Sequence, residues 1–561
     1  MTVDDWLTRF ESALKARDAE AVAALFAPES YWRDLVAFTW NIKTAEGRDE
    51  IAGLAKACDV GPSGFRVTEP PVETDGVTEA WLEFETSAGR GKGHLRLTGE
   101  GAYTLLTTLE ELKGFEERRP VYAAQEPLQD PYVVVIGGGQ GGIALGARLR
   151  QLGVPAVVLE RNDRAGDSWR KRYKTLTLHD PVWYDHLPYL PFPDNWPVFS
   201  HKDKIADWLE MYTRVMEIPY WTRSEVTAVS YDDGWTVTVN RDGETVQLHP
   251  AHVVFATGIA GRPQVPDFPG ADEFEGEQHH SSQHPGPDAY AGRKVVVVGS
   301  NTSAHDICAA LVAHEADVTM VQRSSTHVIK SETLLDLGLG DLYSERALAA
   351  GVTTERADTI FASLPYRVLP SLQLPVQEQV RERDAEFYER LEQAGFSHDW
   401  GDDGTGLVMK FLRRGSGYYI DVGASDLVVN GSIKLAHGQV VKLTRDAVVL
   451  DDGRSLEADL VVYATGYGSM NGFVADLAGE EMAARVGKVW GIGSDTYLDP
   501  GPWEGEQRNM WKPTQQPGLW FHGGNLAQSR YFSHYLAVQL KARFEGLETP
   551  VFGLQEVHHA R

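Results

Sequence analysis

PYVVVIGGGQGG, residues 131–142, reads as a buried strand, a glycine-rich turn and the start of a helix. Tyr132–Ile136 is a short continuous apolar run, the pattern of a strand covered on both faces. Gly137 permits the tight turn, Gly139 lets backbone amides approach a pyrophosphate, and Gly142 lets the helix pack on the strand, with Gly141 beside it. The helix N-terminus then presents unpaired amides to phosphate charge. The next strand, VPAVVLE (154–160), ends on Glu160, a carboxylate that accepts ribose hydroxyls and repels a 2′-phosphate. Strand, turn, helix, strand and acid in this order predict a site for FAD or NAD rather than NADP.

Further along, RKVVVVGSNTSA (293–304) repeats the pattern with a degraded turn. Gly299 is kept and Ser300 follows; Asn301 replaces the middle glycine, Thr302 opens the helix, and Ala304 replaces the last glycine. Its second strand, ADVTMVQR (316–323), ends on Arg323 where the first copy has Glu160. A guanidinium there clamps a 2′-phosphate or stacks on adenine, and Ser324 follows as a neutral donor. Each copy closes a β-meander with a shared word, HPAHVVFATG (249–258) and EADLVVYATG (457–466). Thr257, Gly258, Thr465 and Gly466 thus bring small residues against the two cofactors. The fold class expected is α/β, with two Rossmann-type dinucleotide-binding domains, one interrupting the other. The FAD-binding domain is placed at 132–285 and 436–561, and the NAD(P)H-binding domain at 286–435 with an irregular inserted segment, 331–425.

Residues 1–120 read as α+β. Helical spacing runs through 4–26 and 47–57, and alternating strands follow in FRVTEP, EAWLEFET, GKGHLRLT and AYTLLTTLEELKGFE. With the word YWRD (31–34), this segment resembles the nuclear transport factor 2-like, or SnoaL-like, cone. That fold hosts enzymes and inert modules alike, so it is expected to mediate dimerisation or shape the pocket mouth rather than carry redox chemistry. Three prolines in 120–131 predict a linker over 121–131.

The 561 residues carry 53 basic and 80 acidic side chains, a net charge of −27 that repels nucleic acid and anionic membrane. The two cysteines, Cys58 and Cys308, build no disulfide framework or CxxC pair. The acidic start, MTVDDWLTRF, lacks the apolar core of a signal peptide, and no apolar run is long enough to span a bilayer. A cytoplasmic protein is expected.

Four further stretches carry a resemblance over 131–561. Gly166-Asp167-Ser168-Trp169 is similar to a GGxW stretch, LTLHDP (176–181) to a flavin-side loop, Phe274-x-Gly276-x-x-x-His280 to an FxGxxxH fingerprint, and GLWFHGGNLAQSR (518–530) to a closing FAD segment. Together with the two turns they resemble the class B flavoprotein monooxygenases, which comprise flavin-containing and Baeyer–Villiger monooxygenases. His284 stands where an aromatic residue usually follows the fingerprint, and this departure most resembles the type II flavin-containing subgroup. The resemblance implies FAD with NADPH or NADH as cofactors, modest preference between the nicotinamides, and a small organic substrate with O2. It further implies that NAD(P)H would reduce the flavin, that reduced flavin would take up oxygen at C(4a), and that one oxygen atom would pass to a ketone, sulfide or amine while the other leaves as water. It places Trp169, Gly524 and Ser529 at the flavin, gives His280 and His284 a domain-coupling role with Phe274 and Gly276, and makes His179, Asp180, Asn525 and Arg530 the candidate catalytic residues.

Two other readings stay open: an NAD(P)H oxidase that releases hydrogen peroxide, and a nonenzymatic flavin-binding sensor. A disulfide reductase needs a cysteine pair behind the first turn, and none is there. No metal is expected, since His279, His280 and His284 have no acidic or cysteine partner at ligand spacing. A homodimer is expected. The Pro- and aromatic-rich stretch 181–199 reads either as a substrate-pocket wall or as a rigid loop that excludes water.

Overall fold

The first glycine turn sits at the head of a five-stranded, wholly parallel sheet. In this computed structural model, which describes residues 1–117, 130–496 and 498–558, the strand order is Tyr220–Trp221, Ala156–Leu159, Val133–Ile136, His252–Phe255, Leu519–Phe521. The four strands 133–136, 156–159, 252–255 and 519–521 are buried along their length, which is why they read as unbroken apolar runs. The helix Gln140–Gln151 follows the turn and packs on the long helix Leu526–Phe544.

A second parallel sheet copies this order: Ile433–His437, Asp317–Gln322, Lys294–Val298, Leu460–Tyr463, Glu277–His280. The strand that completes each sheet comes from a different place. In the first it is Leu519–Phe521, in the closing segment; in the second it is Glu277–His280, in the fingerprint. Each copy also carries its three-stranded antiparallel meander, over 224–248 and 440–457. The division expected at 285/286 and 435/436 therefore needs correction: the second sheet takes strands from 277–280 and 460–463, so its unit runs from about the fingerprint to the second ATG word.

The inserted segment is not irregular. It is mostly helical, with Thr354–Ala362, Leu369–Arg383, Ala385–Gln393 and Gly406–Arg414 as its larger helices. The strands His327–Lys330 and Tyr418–Asp421 pair at its base.

The N-terminal unit has the helices Val3–Ala16, Ala19–Ala23 and Gly47–Ala57 and a seven-stranded sheet. Its strands are antiparallel except that Phe26–Leu35 pairs Gly101–Leu112 in parallel. Trp6, Phe10, Phe26 and Trp32 stack edge and face at the centre of its core. That core is continuous with apolar residues of the first parallel sheet, so the unit is not a detached bead. The linker expected at 121–131 lies, but for its last two residues, outside the described residues. Among the described residues no helix is long and apolar enough to cross a membrane.

Candidate active site

A cavity of about 1210 Å³ connects the two glycine turns and continues into an apolar chamber. At the first turn Gly137 has φ +109°, and a Cβ there would stand 2.5 Å from the Ala256 carbonyl oxygen. At the second turn Gly299 has φ +129°, and its Cβ would stand 2.3 Å from the Ala464 carbonyl oxygen. Each turn is thus closed against the backbone of the alanine in its own ATG word, which is why glycine is required at 137 and 299.

Gly139 caps the helix Gln140–Gln151 and faces open space; a Cβ at this position would have Ser168 Oγ as its nearest neighbour, at 3.8 Å. Gly142 is the packing glycine: a Cβ would meet the Gly137 carbonyl oxygen at 2.0 Å. Gly141 and Gly524 both line the cavity, where the two helices approach closely. Glu160 is buried beside the turn and accepts from Gly138 N at 3.1 Å and from Asn162 N at 2.8 Å. Thr257 lines the cavity with a buried hydroxyl that has no protein partner, and Trp169 donates its indole N–H to Gln140 Oε1 at 3.3 Å. An open phosphate approach at Gly139, a buried acid at the end of the next strand and an orphaned hydroxyl on the same cavity fit FAD.

At the second turn Asn301 and Thr302 line the cavity, while Ser300 turns inward to Thr326 Oγ1 at 2.8 Å. Thr302 donates to the Tyr418 carbonyl at 3.1 Å. Arg323 follows the end of Asp317–Gln322 and is exposed, as is Ser324. Lys330 is held by Glu332 and Asp384, which leaves it out of any phosphate clamp. Gly258 and Gly466 line the cavity with positive φ, whereas Thr465 is turned away and donates to the Gln264 carbonyl.

The fingerprint strand is tied to the second ATG word. His280 Nδ1 accepts from Ser282 N at 3.1 Å, and its Nε2 lies 3.0 Å from the Gly466 carbonyl. Phe274 is buried, and Gly276 lies against its ring and the Asp459 carbonyl. His284 pairs with His279 at 2.9 Å and lies parallel to the Tyr290 ring.

The four candidate catalytic residues separate. His179 lines the cavity with its side chain 9% exposed; Nε2 stands 3.4 Å from Asp306 Oδ1 and Nδ1 has no protein partner. Burial works against a charge on His179, but Asp306, and further off Asp180 and Asp421, outweigh it and raise its pKa. Asp180 also lines the cavity, and burial raises its pKa against the pull of His179. Asn525 reaches the cavity wall, yet its side chain caps the helix Leu526–Phe544, accepting from Gln528 N at 2.9 Å while donating to Tyr184 Oη at 3.0 Å. Arg530 is a correction. It is buried and absent from the wall, and its donors go to both Asp358 oxygens, at 2.7 and 2.8 Å, and to the Tyr184 and His186 carbonyls. Ser529 is likewise fully buried in that helix, away from the wall. Of the aromatic stretch 181–199 only Tyr184 lines the cavity; Phe192, Trp196 and Trp208 pack on one another, the arrangement of a water-excluding loop.

Residues 134–350 match the family model of pyridine nucleotide-disulphide oxidoreductases. Cys58 lies in the N-terminal unit and Cys308 is buried in the helix Thr302–Ala313, so the chain supplies no dithiol for that branch. The chain is 31% identical over 361 residues, 64% of its length and 80% of the relative's, to indole-3-pyruvate monooxygenase YUCCA1 of Oryza sativa subsp. japonica.

The chain belongs to the class B flavoprotein monooxygenases.

A probable indole-3-pyruvate monooxygenase, YUCCA9 of Arabidopsis thaliana, is 30% identical over 360 residues, covering 63% of this chain and 77% of that one. In fold, this monooxygenase is similar to the open crystal structure of cyclohexanone monooxygenase, with TM-score 0.51, 19% identity, and 74% and 88% of the two chains covered. It is also similar to OTEMO complexed with FAD and NADP, with TM-score 0.53, 17% identity, and 74% and 85% covered. The monooxygenase is an oxidoreductase whose own sequence pointed to the two nucleotide turns. Residues that the sequence reading missed are Asp306, Tyr184, Asp358 and Arg33. Asp306 had a signal, an acid in the first turns of the second nucleotide helix. Arg33 had a weaker one, a charged pair, Arg33-Asp34, set between Trp32 and Leu35 inside a strand.

Proposed function

We propose that this chain is an NAD(P)H-dependent FAD monooxygenase that inserts one oxygen atom into a small uncharged organic molecule, by Baeyer–Villiger oxidation of a ketone or by oxygenation of soft sulfur or amine nitrogen. The observation that carries the reading is the continuity of one cavity from the Glu160 turn, past the Asn301 turn, into an apolar chamber. Hydride acceptance from NAD(P)H and activation of dioxygen are the chemistry that bound FAD supplies. The chain's own residues hold the pyrophosphate at Gly139, accept the ribose at Glu160, and keep water away through the packed loop 181–199. His179 lines the cavity with Nε2 3.4 Å from Asp306 Oδ1, and a proton held between these two groups would set the charge on this side of the cavity. Asp180 stands beside it as the second titratable group.

The chamber wall includes Phe361, Tyr366, Phe411, Phe473, Tyr531 and Phe532. Among its charged members, Arg33 and Asp358 are each held in a two-point ion pair, with Glu506 and Arg530, and Asp476, on the helix of Phe473, is held by Arg262. The relatives named for indole-3-pyruvate act on a keto acid; here, among the described residues, Arg33 is the cation at this end and Glu506 already holds it, which supports an uncharged substrate. Three helices and a seven-stranded sheet support assigning the N-terminal unit to the nuclear transport factor 2-like, or SnoaL-like, fold.

Purified protein turned over with NADPH, labelled dioxygen and a panel of ketones, sulfides and amines tests the proposal. One labelled oxygen atom in the product, with little hydrogen peroxide, is expected. Release of all reducing equivalents as peroxide with every compound would favour an oxidase instead.

A further inference from the structure

The helix Thr354–Ala362 carries Asp358, Phe361 and Ala362 into the cavity wall, and it has an unusual set of supports. Nine residues make a helix too short to hold itself in water. Its first turn is capped by Thr353, but its last turn has no basic residue of its own to meet the exposed carbonyl ends. The N-terminal unit supplies two. Arg33 Nη1 donates to the Ala362 carbonyl at 2.8 Å, and Arg96 Nη1 donates to the Ser363 carbonyl at 3.2 Å. Both guanidinium groups lie where a helix C-terminus favours positive charge.

Each arginine is itself aimed by a carboxylate. Glu506 accepts from Arg33 Nε and Nη2, both at 2.7 Å, and also from Thr44 Oγ1 at 2.7 Å; Glu79 accepts from Arg96 Nε at 2.7 Å. Arg33 also lies 4.7 Å from the centre of the Tyr366 ring, which is part of the same wall. Near the helix start Arg356 pairs with Glu69 of the N-terminal unit at 2.6 Å and lies 4.3 Å from the centre of the Trp81 ring. The opposite face is fixed by the Asp358–Arg530 pair.

We infer that the N-terminal unit is a clamp on the wall of the substrate chamber, and that Arg33 and Arg96 are positioning residues which set substrate binding and the coupling of oxygen transfer without touching FAD or the nicotinamide. This rests on reading the apolar end of the cavity as the substrate chamber. A fork of donors is essential at Arg33, because one guanidinium serves Glu506 and Ala362 together; an ammonium is a single point charge and cannot span both.

Two variants of the full chain test this. Arg33→Lys keeps the charge opposite Glu506 while giving up the fork. The double variant R96M/R356M leaves only Glu79 and Glu69 behind, 46% and 41% exposed, so no buried charge is orphaned and folding is spared. In both, FAD content and the KM for NADPH are expected to stay within about twofold of wild type. The KM for an uncharged substrate such as cyclohexanone or thioanisole should rise about fivefold or more, with a larger fraction of NADPH lost to hydrogen peroxide. Hydrogen–deuterium exchange over 354–363 should quicken in both variants, whichever compound the wild type prefers. Exchange unchanged in that segment, or equal losses in FAD content, NADPH binding and substrate binding, would overturn the clamp. A wild type that holds no flavin would instead overturn the functional reading, while the exchange result would still decide the clamp.

Discussion

Arg530 grips Asp358 at two points, 2.7 and 2.8 Å, with the two side chains 6% and 5% exposed. The pair joins the long helix Leu526–Phe544 to the chamber helix Thr354–Ala362 behind the cavity wall. Arg530→Met would strand a buried carboxylate, at a cost of about 3–5 kcal/mol. Early thermal unfolding with early flavin release is expected, and R530M/D358L should melt much closer to wild type. If R530M melted like wild type while turnover collapsed, Arg530 would act at the chemistry after all.

Burial opposes a charge on His179, and the hydrogen bond and charge of Asp306, helped by Asp180 and Asp421, together raise its pKa. Asp306→Asn should therefore pull the alkaline limb of the pH–kcat profile to lower pH. The sign of the stability effect follows. A histidine whose pKa is raised by folding stabilises the fold fully below its unfolded value of about 6.5, and that contribution fades as pH rises through the folded value. The loss in Asp306→Asn should be about 1–2 kcal/mol under mildly acidic conditions and should shrink in alkali. Urea unfolding at two pH values measures it; a pH-independent loss would refute the charge pair.

Arg323 stands exposed just past the strand Asp317–Gln322, with Ser324 beside it, and this strand end is expected to meet the adenosine ribose of the second nucleotide. One charge-assisted contact to a 2′-phosphate is worth about 1.5–3 kcal/mol. Arg323→Ala is expected to raise the KM for NADPH roughly ten- to a hundredfold and leave that for NADH nearly unchanged. Equal losses with both nicotinamides would make Arg323 structural.

Gly139 and Gly142 should fail differently. Around Gly139 the space is open, so Gly139→Val should fold yet lose flavin, seen as a colourless soluble protein. At Gly142 a Cβ meets a backbone oxygen at 2.0 Å, so Gly142→Ala should compromise folding itself. Full FAD occupancy in Gly139→Val would remove the pyrophosphate from this turn.

The helices and strands of the two nucleotide units were legible because their signals are local. A five-residue apolar run, a glycine with positive φ and an acid at the next strand end need no distant partner to be recognised. The helical spacing over 47–57 is equally plain, and the structure forms a helix over Gly47–Ala57, whereas the spacing over 4–26 is divided between Val3–Ala16 and Ala19–Ala23. The cut at 435/436 went wrong because strand pairing is not local: Leu460–Tyr463 finds its place only between Lys294–Val298 and Glu277–His280.

Residue order alone places two glycine turns, one followed by a strand that ends in an acid and the other by one that ends in an arginine, since turn geometry and strand-end charge are written in nearby residues. What the polar side chains do is settled in three dimensions. Arg530 looked available for chemistry, but Asp358, far away in the chain, takes its fork; Arg33 looked like one letter of a strand, but it reaches the Ala362 carbonyl and Glu506. Buried charges must be paired, and the partner that satisfies them is chosen by the packing of distant segments, which no local pattern records.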